Sequence, residues 1–469
     1  MRRTLALCSV LILSACSVGP DYEQPRMSLF DGWFSFGQDV SASSPINLRW
    51  WEMFEDPLLN QYIQQAAITN KDIEIAQSNL LAARAARRET TSPFFPEVSG
   101  TADGSRSRQG SGSFNNGGGQ IRNLYQAGFD ASWELDIFGG NRRAYEAADA
   151  RVGRAIANYQ DVLLSTLSEV TRTYYEARGL QKRIAITEQN ADLQKQTFDL
   201  IETRAQVGEA SEFDVSRAKS EYQLTLARVP NLKADLETSI YALSVLLGKP
   251  PEALLEDMMI VKPLPTPPDL VPVGLRSELL QRRPDIRMAE RELAASVADI
   301  GVQTSELFPK FFLTGDIGTQ ARSFGDLFTS AAEFWSFGGF LDWSVFEGGA
   351  IRARIDIEKA ENKAALAQYE KTVLEALADA EGSLSQYGQE LETRQRLEEA
   401  VNSRRKSVSL ARELLSVGEA DYLAVLDAER ELSSSEDELV LSETRSLIKL
   451  VSLYTALGGG WELFPADAQ

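Results

Sequence analysis

The chain contains no histidine. Ser-His-Asp and Cys-His nucleophilic catalysis are excluded with it, as are metal sites built on imidazole. Cysteine is almost as scarce: Cys8 and Cys16 are the only two. Cys8 falls in a removable leader, so no intrachain disulfide can form. Basic residues are the minority, 48 against 68 acidic, and the formal charge is −20. Such a chain repels polyanions, which argues against nucleic acid as a partner. The many Asp and Glu residues are interspersed with Lys and Arg along helical stretches, the pattern of solvated faces rather than of a catalytic carboxylate pair. The sequence therefore offers no catalytic residue, no cofactor site and no metal site, and reads as a non-enzyme.

The leader is residues 1–15. Arg2 and Arg3 precede an apolar run from Leu5 to Leu13 and a short stretch of small residues. This is the organisation of a signal peptide, too short for a transmembrane helix of about 20 apolar residues. Leu13-Ser14-Ala15-Cys16 resembles a bacterial lipobox, in which the cysteine becomes the lipidated first residue of the mature protein. The alternative is an ordinary secretory signal with an incidental cysteine.

The rest of the chain is duplicated. Val207-Gly208-Glu209-Ala210, Val215, Ala218 and Glu221 return as Val417-Gly418-Glu419-Ala420, Val425, Ala428 and Glu431, displaced by 210 positions. A displacement of 213 carries Asp72-Ile73 and Phe95-Pro96 onto Asp285-Ile286 and Phe308-Pro309. A unit this long is a module rather than a solenoid repeat, so the fold should be pseudo-twofold. Proline is absent from Asn141 to Gly208 and from Ala350 to Val417. Each stretch predicts one helix of roughly 100 Å at 1.5 Å per residue, far longer than globular helices. Gly208 and Gly418 should end these helices in left-handed caps and reverse the chain. The return from Glu419 to Leu457 lacks proline and glycine, whereas Pro230 predicts a break or kink in the first return.

Before each long helix the pattern changes to strict alternation. Tyr125, Ala127, Phe129, Ala131, Trp133 and Leu135 alternate with Gln126, Gly128, Asp130, Ser132 and Glu134; Trp335, Phe337, Gly339, Leu341 and Trp343 alternate with Ser336, Gly338, Asp342 and Ser344. Each has a partner run, Val98 to Arg108 and Phe311 to Gln320, giving two hairpins that turn at Gln109–Gln120 and around Arg322–Glu333. Alternation with flanking aromatics fits transmembrane β-strands; a soluble sandwich is the bland alternative. Four strands cannot close a barrel in lipid, where open edges leave backbone groups unsatisfied. Three copies would supply twelve. The expected organisation is a signal peptide (1–15), a lipidated extended arm (16–56), a first repeat (57–248) with its hairpin at about 97–138, a proline-rich linker (249–272) that stays out of regular helix, a second repeat (273–461) with its hairpin at about 310–346, and a tail (462–469).

The motifs in this frame resemble the bacterial outer-membrane efflux channel family, TolC- and OprM-like, and more closely its lipoprotein branch of the NodT type. They are Val18-Gly19-Pro20-Asp21-Tyr22, Trp50-Trp51-Glu52-Met53-Phe54, Trp133-Glu134-Leu135-Asp136-Ile137-Phe138-Gly139, Arg282-Arg283-Pro284-Asp285-Ile286-Arg287, Phe346-Glu347-Gly348-Gly349 and Tyr454-Thr455-Ala456-Leu457-Gly458-Gly459-Gly460-Trp461. The resemblance implies a mixed α and β membrane protein: a homotrimer with one twelve-strand outer-membrane β-barrel, four strands from each chain, continuing into a long α-helical periplasmic barrel. It implies a periplasmic adaptor, an inner-membrane pump of the resistance-nodulation-division type, and a lipid anchor in the outer membrane. It also assigns sites. Val207, Gly208, Glu209 and Ser211, with Val417, Gly418 and Glu419, match the adaptor-docking tip. Leu423 and Asp427, four residues apart and so on one helical face, match the pore constriction, where a ring of carboxylates would favour cations. The Arg-Tyr pair that the family often carries before the second tip glycine is replaced by Leu414-Leu415. The first copy keeps Arg204, with Ala205 in place of the aromatic residue. A type I protein-secretion channel and a non-conducting structural lipoprotein are the rival readings.

Overall fold

The computed structural model describes residues 17–27, 32–34, 47–108, 121–268 and 271–464. The signal peptide, Cys16, the turn at Gln109–Gln120 and the last residues of the tail lie outside the described residues. Seven long helices carry most of the described chain: α1 (Pro57–Thr69), α2 (Lys71–Glu89), α3 (Gly140–Gln206), α4 (Glu212–Leu246), α5 (Pro284–Ser305), α6 (Ala350–Ser416) and α7 (Tyr422–Ala456). α3 and α6 are 67 residues each, as the two proline-free stretches require. No helix among the described residues is long and apolar enough to cross a membrane. The strands are β1 (Glu97–Arg108), β2 (Ile121–Leu135), β3 (Lys310–Ala321) and β4 (Glu333–Asp342), in one antiparallel sheet of order β1-β2-β3-β4.

The described chain divides into two compact units. The first draws on the chain up to Arg26, Asn79–Ala155 and Met288–Glu370, and contains the sheet. Directly opposed residues of an antiparallel pair share a face. The register therefore puts Tyr125, Ala127, Phe129, Trp133, Leu135, Phe311, Leu313, Ile317, Trp335, Phe337 and Leu341 on one face. Asp130, Ser132, Thr314, Asp316 and Ser336 take the other, where Thr101 donates to Asp130 (3.1 Å) and Ser336 to Asp316 (2.6 Å). Phe312 and Phe340 stack within this polar face at 4.8 Å between centroids. From Tyr125 to Leu135 the apolar face runs roughly 33 Å along the strand, or about 25 Å at a tilt near 40°, the height of a membrane-spanning apolar band.

The start of the N-terminal arm, up to Arg26, lies in the same unit. The Val18 amide donates to Phe138 O at 3.1 Å, and Arg143 donates to Val18 O (3.1 Å) and to Asp21 (2.7 Å). Tyr22 donates to the Glu290 carboxylate. Ser17 presses so close to Gly139 that a Cβ there would sit 2.7 Å from Ser17 Oγ. The residue next to Cys16 is thus fixed against the link between β2 and α3.

The second unit draws on Met27–Ser78, Ile156–Arg287 and the chain from Lys371 onward. The duplication is visible here in how one helix end caps another. Asn70 Nδ2 donates to Leu246 O at the end of α4 (2.8 Å), and Arg283 Nη1 donates to Ala456 O at the end of α7 (2.9 Å). Asn70 and Arg283 are 213 positions apart and the two carbonyls 210 apart. Trp50, fully buried, stacks on Tyr454 and donates to Gly459 O at 3.1 Å, so the segment before α1 closes over the end of α7.

Two expectations are corrected. α4 continues through Pro230 without a break. The proline is on the exposed side of the helix, where the Leu226 carbonyl that loses its donor can bond to water, while Val229, Leu232 and Leu236 are buried on the other side. The linker is also not wholly extended: Pro251–Leu254 is a 3-10 turn and Leu255–Met258 a turn of α-helix. Pro250 caps that piece and Pro251 takes its first position, where a proline forfeits no hydrogen bond, and burial of Leu254 and Met258 pins it down.

Candidate functional site

The site called from sequence lies in the second unit, where α3 turns into α4 and α6 into α7. Both reversals are built alike. The Glu209 amide donates to Arg204 O (2.9 Å) and the Gly208 amide to Ala205 O (3.0 Å); the Glu419 amide donates to Leu414 O (2.9 Å) and the Gly418 amide to Leu415 O (3.2 Å). This pair of bonds is the Schellman motif, and it requires a left-handed residue between them. Gly208 and Gly418 both have φ of 80°. Nothing lies within 4 Å of a Cβ built at either position, so backbone conformation alone selects glycine. α4 then starts with a capping box, Ser211 Oγ accepting from the Asp214 amide at 3.2 Å and Asp214 Oδ2 from the Ser211 amide at 3.1 Å. α7 starts on Asp421, whose carboxylate accepts from the Ala424 amide at 2.9 Å. The turns leave Val207 and Val417 69% and 66% exposed, with Glu209, Ser211 and Glu419 also exposed. Two apolar knobs therefore project beside acidic neighbours.

Just inside the turns, Ile201, Ala218 and Leu426 form a buried cluster with Phe198, Ala210, Val215 and Tyr422 packed on it. Arg204 places its guanidinium over the Tyr422 ring at 6.0 Å, so the aromatic partner absent from position 205 comes from α7. Leu423 is exposed, and one helical turn on Asp427 is half-buried. The Asp427 carboxylate lies 3.3 Å from Arg217 Nη2 and 3.6 Å from Arg430 Nη2. The reading from sequence missed both arginines. Arg217 was within its reach, since the displacement of 210 that defines the repeat carries 217 onto 427.

Deeper in the unit, α7 presents Glu429 and Glu436, a heptad apart, to two other helices. Thr197 of α3 donates to Glu429 at 2.8 Å and Arg412 of α6 at 2.7 Å; Asn190 of α3 donates to Glu436 at 3.1 Å and Arg405 of α6 at 2.9 Å. Thr197 and Asn190, and Arg412 and Arg405, are themselves seven residues apart. Two stacked polar layers thus fix the register of α6 and α7 against α3. Among the described residues no group of His, Cys, Asp or Glu is arranged to hold a metal ion.

With this geometry in view, the comparisons with known proteins agree with one another. The sequence profile of the family described as "Outer membrane efflux protein" matches residues 62–249 and 275–459. The chain is 31% identical over 471 residues to the "Solvent efflux pump outer membrane protein SrpC" of Pseudomonas putida, covering 98% of this chain and 99% of that one. It is 30% identical to "Nodulation protein T" of Rhizobium leguminosarum bv. viciae, covering 98% and 94%. Among solved structures, that of "the outer-membrane channel OprN" superposes with a TM-score of 0.90 at 36% identity, covering 95% of this chain and 100% of that one. "The Open State of the Neisseria gonorrhoeae MtrE Outer Membrane Channel" superposes at 0.81 with 26% identity, covering 97% and 100%.

Proposed function

Because the chain belongs to the outer membrane efflux protein family, we propose that it is the outer-membrane channel of a tripartite efflux pump, a passive conduit carrying small molecules to the exterior. The observation that carries this reading is the sheet: one apolar face tall enough for a bilayer, one polar face, and two edges, at β1 and β4, with no partner strand among the described residues. In lipid those edges must find strands. A dimer would give eight strands, whose interior side chains fill; three copies give twelve and an aqueous lumen. Energy for export comes from the inner-membrane pump, reached through a periplasmic adaptor that docks on Val207, Gly208, Glu209, Ser211, Val417, Gly418 and Glu419. Leu423 and Asp427 narrow the periplasmic mouth. Cys16 carries the lipid; the clamp of Ser17 and Val18 against Phe138 and Gly139, just past the end of β2, supports this role. The test is planar-bilayer recording of the purified protein. Unitary conductance steps are expected, and a protein that inserts without conducting would overturn the channel reading.

A further inference from the structure

The unit that contains the sheet holds parts of both repeats, and a slot that is shut in the first repeat is open in the second. Between the end of α2 and the start of α3, Phe94 packs edge-on against Tyr145 with centroids 6.5 Å apart, and Arg87 pairs with Asp149 at 2.6 Å. The repeat displacements, 213 ahead of each hairpin and 210 after it, carry Phe94 and Arg87 onto Leu307 and Ile300, and Tyr145 and Asp149 onto Ile355 and Lys359. The helix starts agree: the Arg143 amide donates to Gly139 O and the Ala353 amide to Gly349 O. Two aromatic rings thus become aliphatic side chains, and the ion pair is lost. What remains is a groove of about 560 Å³ between α5 and α6, walled by Ile300, Thr304, Leu307 and Ile355, with Pro20 of the arm. Small-molecule sites run from roughly 300 to 1,000 Å³. Thr304 turns its hydroxyl back to Ile300 O at 2.6 Å, and Asn362 donates to Ser296 Oγ at 2.9 Å where α5 and α6 meet beyond the groove. At the sheet end, Trp343 donates to Leu307 O at 3.1 Å.

The same comparison shows charge set free at the rim. Arg142 pairs with Asp136 at 3.3 Å. The displacement of 210 carries Arg142 onto Arg352 and Asp136 onto Phe346, which is 88% exposed. Arg352 therefore lines the groove with no carboxylate paired to it among the described residues. Lys359, also on the rim, meets Asp356 at 3.7 Å with both side chains more than half exposed. We propose that the groove binds a glycerophospholipid of the outer membrane, with one acyl chain along Ile300, Thr304, Leu307 and Ile355 and the phosphate at Arg352 and Lys359. Position and charge select this occupant over a protein segment. Leu307 comes four residues before Phe311 and Trp343 two after Leu341, and Phe311 and Leu341 are opposed on the apolar face. The groove therefore opens at the edge of the membrane-spanning band, where an indole is at home. Two cations beside an apolar slot at that level match a lipid phosphate above its acyl chain, in a chain whose overall charge is −20. The inference needs the sheet to lie in the membrane, and depends neither on conduction nor on the number of copies.

The probe is a phosphatidylglycerol with a diazirine near the end of one acyl chain, present as a trace in vesicles of phosphatidylethanolamine and phosphatidylglycerol that hold the full chain. After irradiation and digestion, peptides containing Ile300 to Leu307 or Ile355 should carry the label. Leu307→Phe with Ile355→Tyr rebuilds the filling of the first repeat. Its groove labelling should fall about tenfold, because the rings take the place of the acyl chain, while labelling of the strands stays unchanged. Arg352→Gln and Lys359→Gln should each lower groove labelling about fivefold, the worth of one basic side chain at a membrane surface. Labelling that survives the filled variant overturns the site. Charge variants that label like wild type overturn the phosphate contact, and with it the choice of a phospholipid. Cys16→Ser should label as wild type does. A groove labelled only in Cys16→Ser belongs to the protein's own anchor, and a groove labelled in neither is empty or covered by protein; both results overturn the proposal. Conductance recorded from the same vesicles reports on the channel reading separately.

Discussion

Asp427 sets the charge balance of the proposed constriction. The sequence alone suggested a bare ring of carboxylates and a pore that favours cations, but each Asp427 lies beside Arg217 and Arg430. Removing it leaves two guanidinium groups per copy at that level, and the potential of a narrow entrance follows its net charge. Asp427→Ala should therefore shift the reversal potential toward anions, while Leu423→Ala should raise conductance by removing the apolar plug. The partners are partly exposed, so the ion pair itself is worth at most about 1 kcal/mol and stability should hardly change. If bilayer recordings of both variants match wild type, the constriction lies elsewhere. Asp161, on α3, gives a second prediction. Burial and the nearby Asp285 raise its pKa above the ordinary 3.8, with Arg283 opposing them in part. The folded state then holds that proton more tightly than the unfolded one, so stability falls as pH rises from 3.8 through the raised value. Asp161→Asn should unfold at a higher temperature than wild type at neutral pH, and the difference should vanish below 3.8. A difference independent of pH would reject this account. At this scale legibility was uneven. Leu423 and Asp427 came from a motif, whereas Arg217 and Asp161 act through neighbours that only folding assembles.

The elements were more legible, because their signals are local. Proline-free runs bounded by glycine gave α3 and α6 to within two residues at either end, and alternation gave the strands. What escaped was set by solvent and packing: Pro230 sits on an exposed face, and the linker turn is stabilised by burial of Leu254 and Met258. At the end of α6, Gly418→Val places a branched side chain at a φ of 80°, at a cost on the order of 1 kcal/mol. Trimers should still form while efflux and adaptor crosslinking decline; undiminished crosslinking would dismiss the docking role. The polar layers between α3, α6 and α7 predict an asymmetry. The Glu429 side chain is 5% exposed and that of Arg412 34%. Arg412→Ala strands a buried carboxylate and should cost about 3 kcal/mol, whereas after Glu429→Ala the arginine can reach water and the loss should be nearer 1 kcal/mol. Thermal unfolding of the two variants should rank them in that order, and the reverse order would show that the layer is not held by charge.

For the whole molecule, the arm and the sheet make separate claims on the membrane. Radiolabelled palmitate should enter the wild-type chain and not Cys16→Ser, and equal labelling of both would refute acylation at that residue. The variant should still insert, because the apolar band of the sheet is independent of the anchor. The duplication has a consequence for assembly. A chain carrying one module would offer one hairpin and would have to meet five others before any ring of twelve strands had no loose end. Joining two modules end to end turns three of those five encounters into tethered ones, at the high effective concentration a linker provides. The β2–β3 junction thus makes within one chain a contact that separate modules would have to find by collision, and ring closure becomes a third-order event where it would have been sixth-order.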